Sequence, residues 1–423
     1  MTTLERPGLR GLSPALIPLG LMFLAVGMST AVAYPFLALF LSNDVHAGPV
    51  RVTVFLVASP LAGVLVTTLV GRLSDRGPYR RRVLLVAALA GLAGSGFTAF
   101  VRDYWVLLGL SVTAIALSGS LFPQTFAYAR QVLERDTPGR AALGISAMRT
   151  VFSLAWVGGP ALAAVLLDVG GFRLLYGTAA ALYAVAAAVA LLRLEDLEAP
   201  RPEHTDESAS PLSVSRMILG VTVVAFVVLQ VPMTLCVQAL PLFIERDLHR
   251  DASAAGLVLG LCAALEIPFM LGLGALTTRF PVRALILVGA VAGTAYYAIA
   301  WWAPSLWVLV AAQVVNAIFI SAISGVAITY IQDMMPTRPG TATTLYTNTF
   351  PIGAMIAGSL LGVSAHFGYR SAFGLGAVLC AAGFVLLLAT RPPRSPARPP
   401  GPVSSASRPA APESGAAPVA GPR

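Results

Sequence analysis

The 423-residue chain contains no lysine; all 28 of its basic residues are arginine. A Walker-type phosphate loop sets a lysine on the β and γ phosphates, and Schiff-base catalysis uses one as nucleophile. Both chemistries are excluded, so any uphill work must draw on an ion or solute gradient or on a separate ATPase subunit. Charge of either sign is scarce, at 11% of residues against about 25% in an ordinary soluble domain. Water therefore cannot be the main solvent. Cysteine is sparse as well: Cys236, Cys262 and Cys380 lie inside apolar runs without metal-ligand spacing and read as core filler. The four histidines, His46, His204, His249 and His366, sit in or beside connecting segments, which leaves no imidazole within an apolar run for metal binding or proton relay. The expectation is a chain that is not an enzyme and has no metal, no cofactor and no nucleic-acid partner.

What is abundant is apolar sequence, 57% of residues. Runs without charge recur, each near the ~20 residues that cross a ~30 Å hydrocarbon core. Lipid offers backbone groups no partner, so these runs are helices by default. The first, Pro14 to Leu41, exceeds a signal-peptide core of ~7 to 15 residues and reads as a retained span. Spans are expected at 14–41, 52–71, 83–101, 104–129, 141–167, 172–193, 216–243, 253–277, 282–303, 305–332, 341–366 and 370–390, an all-α membrane protein of twelve transmembrane helices. After the sixth comes LEDLEAPRPEHTDESASPLSVS, with six acids and three prolines, the composition of a linker. Beyond Thr390 the Pro, Ala and Ser bias cannot bury enough apolar surface to fold. The expected organisation is a six-helix half at 1–193, a linker at 194–215, a second six-helix half at 216–390 and a disordered tail at 391–423.

Short positively charged loops stay cytoplasmic. With the N-terminus inside, 21 arginines fall in cytoplasmic segments, six in outer loops (51, 102, 173, 246, 250 and 370) and Arg149 within a span. Both termini are thus expected in the cytoplasm, with the chain a multi-pass monomer in the lipid bilayer of a bacterial cytoplasmic membrane. The two halves also repeat each other. Pro35 and Pro241, GRLSDR from Gly71 and GALTTR from Gly274, Pro138-Gly139 and Pro339-Gly340, GFR from Gly171 and GYR from Gly368 recur at offsets of 206, 203, 201 and 197. Parallel repeats related by an axis along the membrane normal form a pseudo-symmetric transporter layout, with a solute site near the midplane between halves.

Between the second and third spans stands GRLSDRGPYRRR. Asp75 can cap a neighbouring helix or pair with an arginine, and the glycines permit a tight turn. A positive-inside anchor accounts for Arg80 to Arg82 but not for Asp75. The stretch resembles the loop signature G-x-x-x-D-R-x-G-R-R of the major facilitator superfamily, which implies that Gly71, Asp75 and Arg76 form a gate latching the cytoplasmic side when the protein faces outward. In the second half Thr278 stands where the acid stood, so that latch is degenerate. The fifth span carries Gly158, Gly159 and Pro160, a partial resemblance to the G-P signature of the superfamily's antiporters, with Ala163-Ala164 where that pattern closes on Gly-Gly. Close packing on small residues and a proline bend account for part of it.

Arg149 lies well inside the fifth span, at a cost of at least ~2.5 to 3.5 kcal/mol on insertion scales, and such a residue is normally paired. Glu266, in ALEIPFM of the eighth span, is the one acid near the middle of any span. Counting about 1.5 Å per residue sets both roughly 10 to 12 Å from the cytoplasmic boundary. In the superfamily the fifth and eighth helices belong to opposite halves and face each other, so an Arg149–Glu266 pair would bridge the interface that opens and closes. Breaking it would leave a desolvated carboxylate without its cation, the condition for a proton carrier; structural pairing and direct contact with solute remain open beside coupling.

Gln124, Gln230, Gln238, Gln313, Asn316 and Asn348, with Phe126, Trp156 and Tyr346, supply what sugars need: amides for hydroxyls and aromatic faces for the ring. Each could instead join helices. The segments FPQTFAYAR, MRTVFSLAWVGGP, AALEIP, QVVNAIFI and QDMMPTRPGTATTLYTN resemble the bacterial sugar efflux transporter family of the major facilitator superfamily, a likeness covering most of residues 20–390. It implies export of a small-molecule sugar or glycoside, in exchange for protons and by alternating access. Two other readings stay open: a proton-coupled multidrug exporter of the same fold, and a membrane-embedded enzyme or sensor.

Overall fold

The structure, a computed structural model, describes residues 16–75, 77–136, 141–197, 215–335 and 339–390; within the helices the side chains of Asp75 and Arg149 are outside that description. Most of the expected linker and the whole expected tail lie outside the described residues. The helices are α1 (Ile17–Asn43), α2 (Pro49–Ser74), α3 (Arg80–Phe100) and α4 (Tyr104–Leu133), then a stretch that holds two spans, then α7 (Arg216–Arg246), α8 (Ala254–Leu276), α9 (Val282–Trp302), α10 (Leu306–Met334), α11 (Thr341–Phe367) and α12 (Arg370–Ala389). The double stretch is Ala141–Leu192, helical along its length except at Gly171, where φ is 60° and ψ −157°. That residue divides it into α5 (141–170) and α6 (172–192) and completes twelve transmembrane helices in two pseudo-symmetric halves. An L side chain is strained in that conformation, so the turn needs glycine. Gly368, between α11 and α12, has φ 87°. The GFR and GYR repeats are therefore a single turning device used twice.

An even number of crossings puts Ile17 and Ala389 at one end of the bundle, the terminal end; the other is the distal end. Arginine binds helix ends at both. At the terminal end Arg81 at the start of α3 donates to Ala190 O at 3.2 Å and Leu191 O at 2.9 Å, the last carbonyls of α6. Its counterpart Arg283 at the start of α9 donates to Leu387 O at 2.8 Å and Leu388 O at 3.2 Å, the last carbonyls of α12. Unsatisfied carbonyls and the negative end of the helix dipole both favour a cation there. Asp196, just past α6, adds an ion pair to Arg81 at 3.0 Å. At the distal end five arginines also sit over aromatic rings: Arg51 on Tyr104, Arg102 on Phe40, Arg173 on Phe100, Arg246 on Tyr369 and Arg370 on Phe243, at 5.2 to 5.6 Å from the ring centroids; of these, Arg102 donates to the last carbonyls of α3 and Arg370 to Trp301 O of α9 as well. Such contacts contribute about 0.5–1 kcal/mol each at exposed sites. Five of the six arginines expected in outer loops are thus held by rings.

Within the first half, α1 packs on α5 and α6: Gly159 lies against Ala31, a Cβ on Gly27 would stand 2.9 Å from Ala155 Cβ, and Ser29 Oγ donates to Ala179 O at 3.1 Å. Half of the Gly-Gly-Pro motif is therefore a helix contact. Helices α4 and α10, at equivalent places in the two halves, each carry a π-helical segment, Ser111–Ile115 and Ser321–Val326. One extra residue per turn widens a helix locally and recurs at functional sites.

Candidate functional site

The halves meet along three helix pairs, and the hydrogen bonds and glycine contacts described below all lie toward the distal end. Between α1 and α7, Asn43 Nδ2 donates to both carboxylate oxygens of Glu245 at 2.9 and 3.0 Å, and Arg246 donates to Ser42 Oγ at 2.6 Å. Deeper on the same pair, Gln238 Nε2 donates to Tyr34 O at 2.8 Å, and Ala38 N–H donates to Gln238 Oε1 at 3.2 Å. Between α2 and α11, Gly358 faces Leu56 and Gly362 faces Thr53; between α5 and α8, Gly256 faces the Pro160 carbonyl and Gly260 the Val157 carbonyl. Phe36, Phe40 and Leu56 from the first half share one buried apolar cluster with Leu235, Phe243 and Leu361 from the second. The distal end is shut, and a vestibule of about 690 Å³ lies at its surface, lined by charged side chains including Asp44, Arg102, Asp168, Arg173, Glu245 and Asp251. Just beyond α7, burial pushes the Asp247 carboxyl above the usual carboxylate range, and Arg370 opposes that shift.

Asn43 and Glu245 are half-buried, so water screens their bond in part. Asn43→Ala removes three hydrogen bonds, two donated to Glu245 and one accepted from Arg246, worth about 0.5–1.5 kcal/mol each at most. We expect it to open the distal end about threefold more often, read as the maleimide labelling rate of a cysteine placed at Leu56.

None of the expected solute residues lines the vestibule. In the second half the structure gathers five polar groups into one chain: Cys262 Sγ donates to Glu266 Oε1 at 3.5 Å, Asn316 Nδ2 donates to Cys262 Sγ at 3.3 Å and to Gln313 Oε1 at 3.0 Å, and Gln313 Nε2 donates to Tyr296 OH at 3.3 Å. Ser321, at the π segment of α10, donates to Glu266 O at 3.1 Å. Asn316 Oδ1, Gln230 Nε2 and Gln124 Oε1 are buried with no hydrogen-bond partner among the described residues. An orphaned buried amide atom costs about 1–3 kcal/mol, and groups of that kind are suited to a visiting hydroxyl. Gln230 packs under Gly353, beside Tyr346, which donates to Ile323 O.

Depth separates the remaining candidates. At about 1.5 Å per residue from the distal helix ends, Gln313 and Gln238 lie roughly 10 to 12 Å deep, Asn316 and Glu266 roughly 15 to 18 Å, and Gln230 roughly 24 Å, while Trp156, next to Val157, comes level with Gly260 of α8. Gln124, Phe126, Tyr346 and Asn348 lie near 30 Å, close to the terminal end. Phe126 meets Phe23 edge to face at 4.4 Å and Phe122 at 5.0 Å, within an aromatic cluster of the first half. Trp156 meets Tyr34 edge to face at 6.5 Å. Asn348 is exposed at the break before the second part of α11 and caps nothing with its side chain. The structure therefore brings Trp156, Gln230, Glu266, Gln313 and Asn316 to middle depth and does not bring Gln124, Phe126, Tyr346 and Asn348 there.

The expected ion pair falls partly outside the described residues, since the Arg149 side chain is not among them. Backbone register bears on it. Gly256 faces Pro160 and Gly260 faces Val157, so each step along α8 is a step back along α5, and Glu266 comes level with residues 150–151, one or two residues from Arg149. The expected gate is likewise only partly visible: Gly71 stands on α2, 4.0 Å from Gln124 Nε2 at its missing Cβ, whereas Arg76 and the Asp75 side chain are outside the described residues. Sequence reasoning missed Asn43, Ser42, Glu245 and Cys262. Glu245 had a visible signal, an acid at the end of an apolar run, but its partner is 202 residues away.

Twelve helices in two equivalent halves, closed at one end over a row of buried polar groups, define a membrane transporter rather than an enzyme. The family model of the Major Facilitator Superfamily matches residues 19–237 and 222–418. Sugar efflux transporter A of Dickeya chrysanthemi is 34% identical over 364 residues, covering 84% of this chain and 91% of the relative. Sugar efflux transporter B of Salmonella typhimurium is 33% identical, covering 84% and 90%. Among solved structures, the nucleoside transporter NupG superposes with a TM-score of 0.69 at 12% identity, over 89% of this chain and 98% of that one. A bacterial homologue of the lysosomal transporter Spinster, in an inward-facing and occupied conformation, gives a TM-score of 0.70 at 14% identity, over 89% and 96%. This chain belongs to the bacterial sugar efflux transporter family of the Major Facilitator Superfamily.

Proposed function

We propose that the protein exports sugars or glycosides across the cytoplasmic membrane, exchanging them for protons by alternate opening of its two ends. The observation that carries the reading is the row of buried amides at middle depth, Gln230, Gln313 and Asn316, two of which hold an unpartnered polar atom beneath the closed distal end. Unpartnered amides suit a polyhydroxylated solute, which can satisfy donors and acceptors at once. A lipophilic drug would leave them orphaned. Relatives named for sugar efflux support the same cargo.

In this reading the terminal end faces the cytoplasm. The excess of arginines in the short terminal-end segments supports that orientation through the positive-inside rule, while among the distal arginines Arg102 is paired with Asp44 at 3.2 Å. The state described is then closed to the outside. Solute enters from the cytoplasm and contacts Trp156 and the amides; Asp75 and Arg76 close behind it; the distal seal parts and releases it. Glu266, within about one helical turn of Arg149 by the backbone register of α5 and α8, carries the proton on the return. In this reading the two halves of one chain suffice for the cycle, and the protein acts as a monomer.

Inverted membrane vesicles containing the full-length protein test the cargo. Supplied with a panel of labelled disaccharides and glucosides and an energised membrane, they are expected to accumulate at least one sugar, with unlabelled glycosides competing and lipophilic cations not. Accumulation of cationic drugs and of no sugar would overturn the reading.

A further inference from the structure

Helix α1 is interrupted by one 3-10 turn, Tyr34–Phe36, before the α-helix restarts at Leu37. Pro35 sits in that turn and has no N–H, and its ring disfavours a regular helix through the preceding residues. In an unbroken helix the Ala38 N–H would donate to the Tyr34 carbonyl four residues back. Here the amide of Gln238, from α7 of the other half, stands between those two groups, donating to Tyr34 O at 2.8 Å and accepting from Ala38 N–H at 3.2 Å. A side-chain amide offers the same donor and acceptor as a peptide unit. It therefore fills a gap of one missing helical bond. Ala38 is fully buried and Gln238 only 3% exposed, so water does not compete for either bond.

We infer that Gln238 is the positioning residue of the distal gate: it holds α1 in the broken form while the halves meet, and its withdrawal lets the Ala38 N–H return to the Tyr34 carbonyl, so that α1 straightens as the gate opens. A gate that opened with α1 still broken would strand a buried peptide N–H, which native structures avoid. The shape of one half's helix is thereby tied to its distance from the other half. Gln238 has neither amide end free for solute while the gate is closed, and both when it is open. The inference rests on the alternate opening proposed above, but not on the cargo.

The test uses full-length protein in lipid nanodiscs with Leu56→Cys as reporter, a position buried between α2 and α11 where the seal parts. Gln238→Leu is expected to raise its maleimide labelling rate about tenfold, the shift expected for loss of two buried bonds. Pro35→Ala, which permits a straight α1, is expected to raise it similarly. The double variant should label no faster than either single one, because both act on the same break. Labelling of Gln238→Leu at the parent rate, or effects that multiply in the double variant, would overturn the inference. Should Gln238→Leu fail to fold, Gln238→Glu retains the acceptor for Ala38 and loses the donor to Tyr34, and the same two readings apply. Labelling needs no sugar, so failure to transport any sugar sinks the cargo alone, and unchanged labelling with transport intact sinks the gate alone.

Discussion

Glu266→Gln is expected to lower proton-driven accumulation of sugar about 100-fold or more while leaving exchange of sugar down its own gradient within about threefold. Glutamine keeps the shape of the side chain and a hydrogen-bonding oxygen for the Cys262 thiol, now 3.5 Å from Glu266 Oε1, but it cannot take up or release a proton. A side chain that cannot titrate at this position cannot link proton entry to sugar exit, so accumulation falls to the uncoupled level while exchange, which moves no net proton, persists. A substrate contact would behave differently, because loss of a sugar hydrogen bond slows both modes of transport together. Counterflow and gradient-driven uptake, measured in the same proteoliposomes, separate the two. Equal losses in both assays would assign Glu266 to the solute and not to the proton.

The second large effect concerns the distal seal. Gly256→Ala is expected to cut transport at least about tenfold and to raise labelling at Leu56→Cys by a similar factor. A Cβ at residue 256 would drive into the backbone carbonyl of Pro160, and a backbone cannot rotate away; overpacking of this kind costs about 1–3 kcal/mol, a shift of about tenfold to a hundredfold toward the parted state. Gly362→Ala is the control, since its Cβ would meet the Thr53 side chain, which can turn. A Gly256→Ala protein that transports at the parent rate would show that α5 and α8 need not close at this point.

Twelve spans could be read from hydropathy because lipid forces each crossing into one apolar helix. The α5–α6 junction was legible for a more local reason: GFR and GYR occupy equivalent places, and a glycine that must adopt positive φ leaves a mark in the sequence. Arg81 was visible only as part of a basic run, and its twin Arg283 not at all, because a helix-end carbonyl contact depends on which helix ends nearby. The amides were the hardest. Gln124, Gln238 and Asn316 look alike in sequence, each a lone polar residue in an apolar run. Helix rotation and the facing half decide that one lies near the terminal end, one splints a broken helix and one joins Glu266 through Cys262. Periodicity gives the face a residue occupies and not the partner it meets. The Asn43–Glu245 bond shows the same limit, with a contact made only after two halves have folded and docked.

Purified full-length protein in proteoliposomes with an acidic lumen, a trapped pH indicator and labelled sugar outside tests the central claim of sugar–proton exchange. The account predicts that sugar accumulates inside, that its entry raises the luminal pH in step, and that an uncoupler abolishes both. Sugar that equilibrates without accumulating, or accumulates with no change in luminal pH, would contradict it.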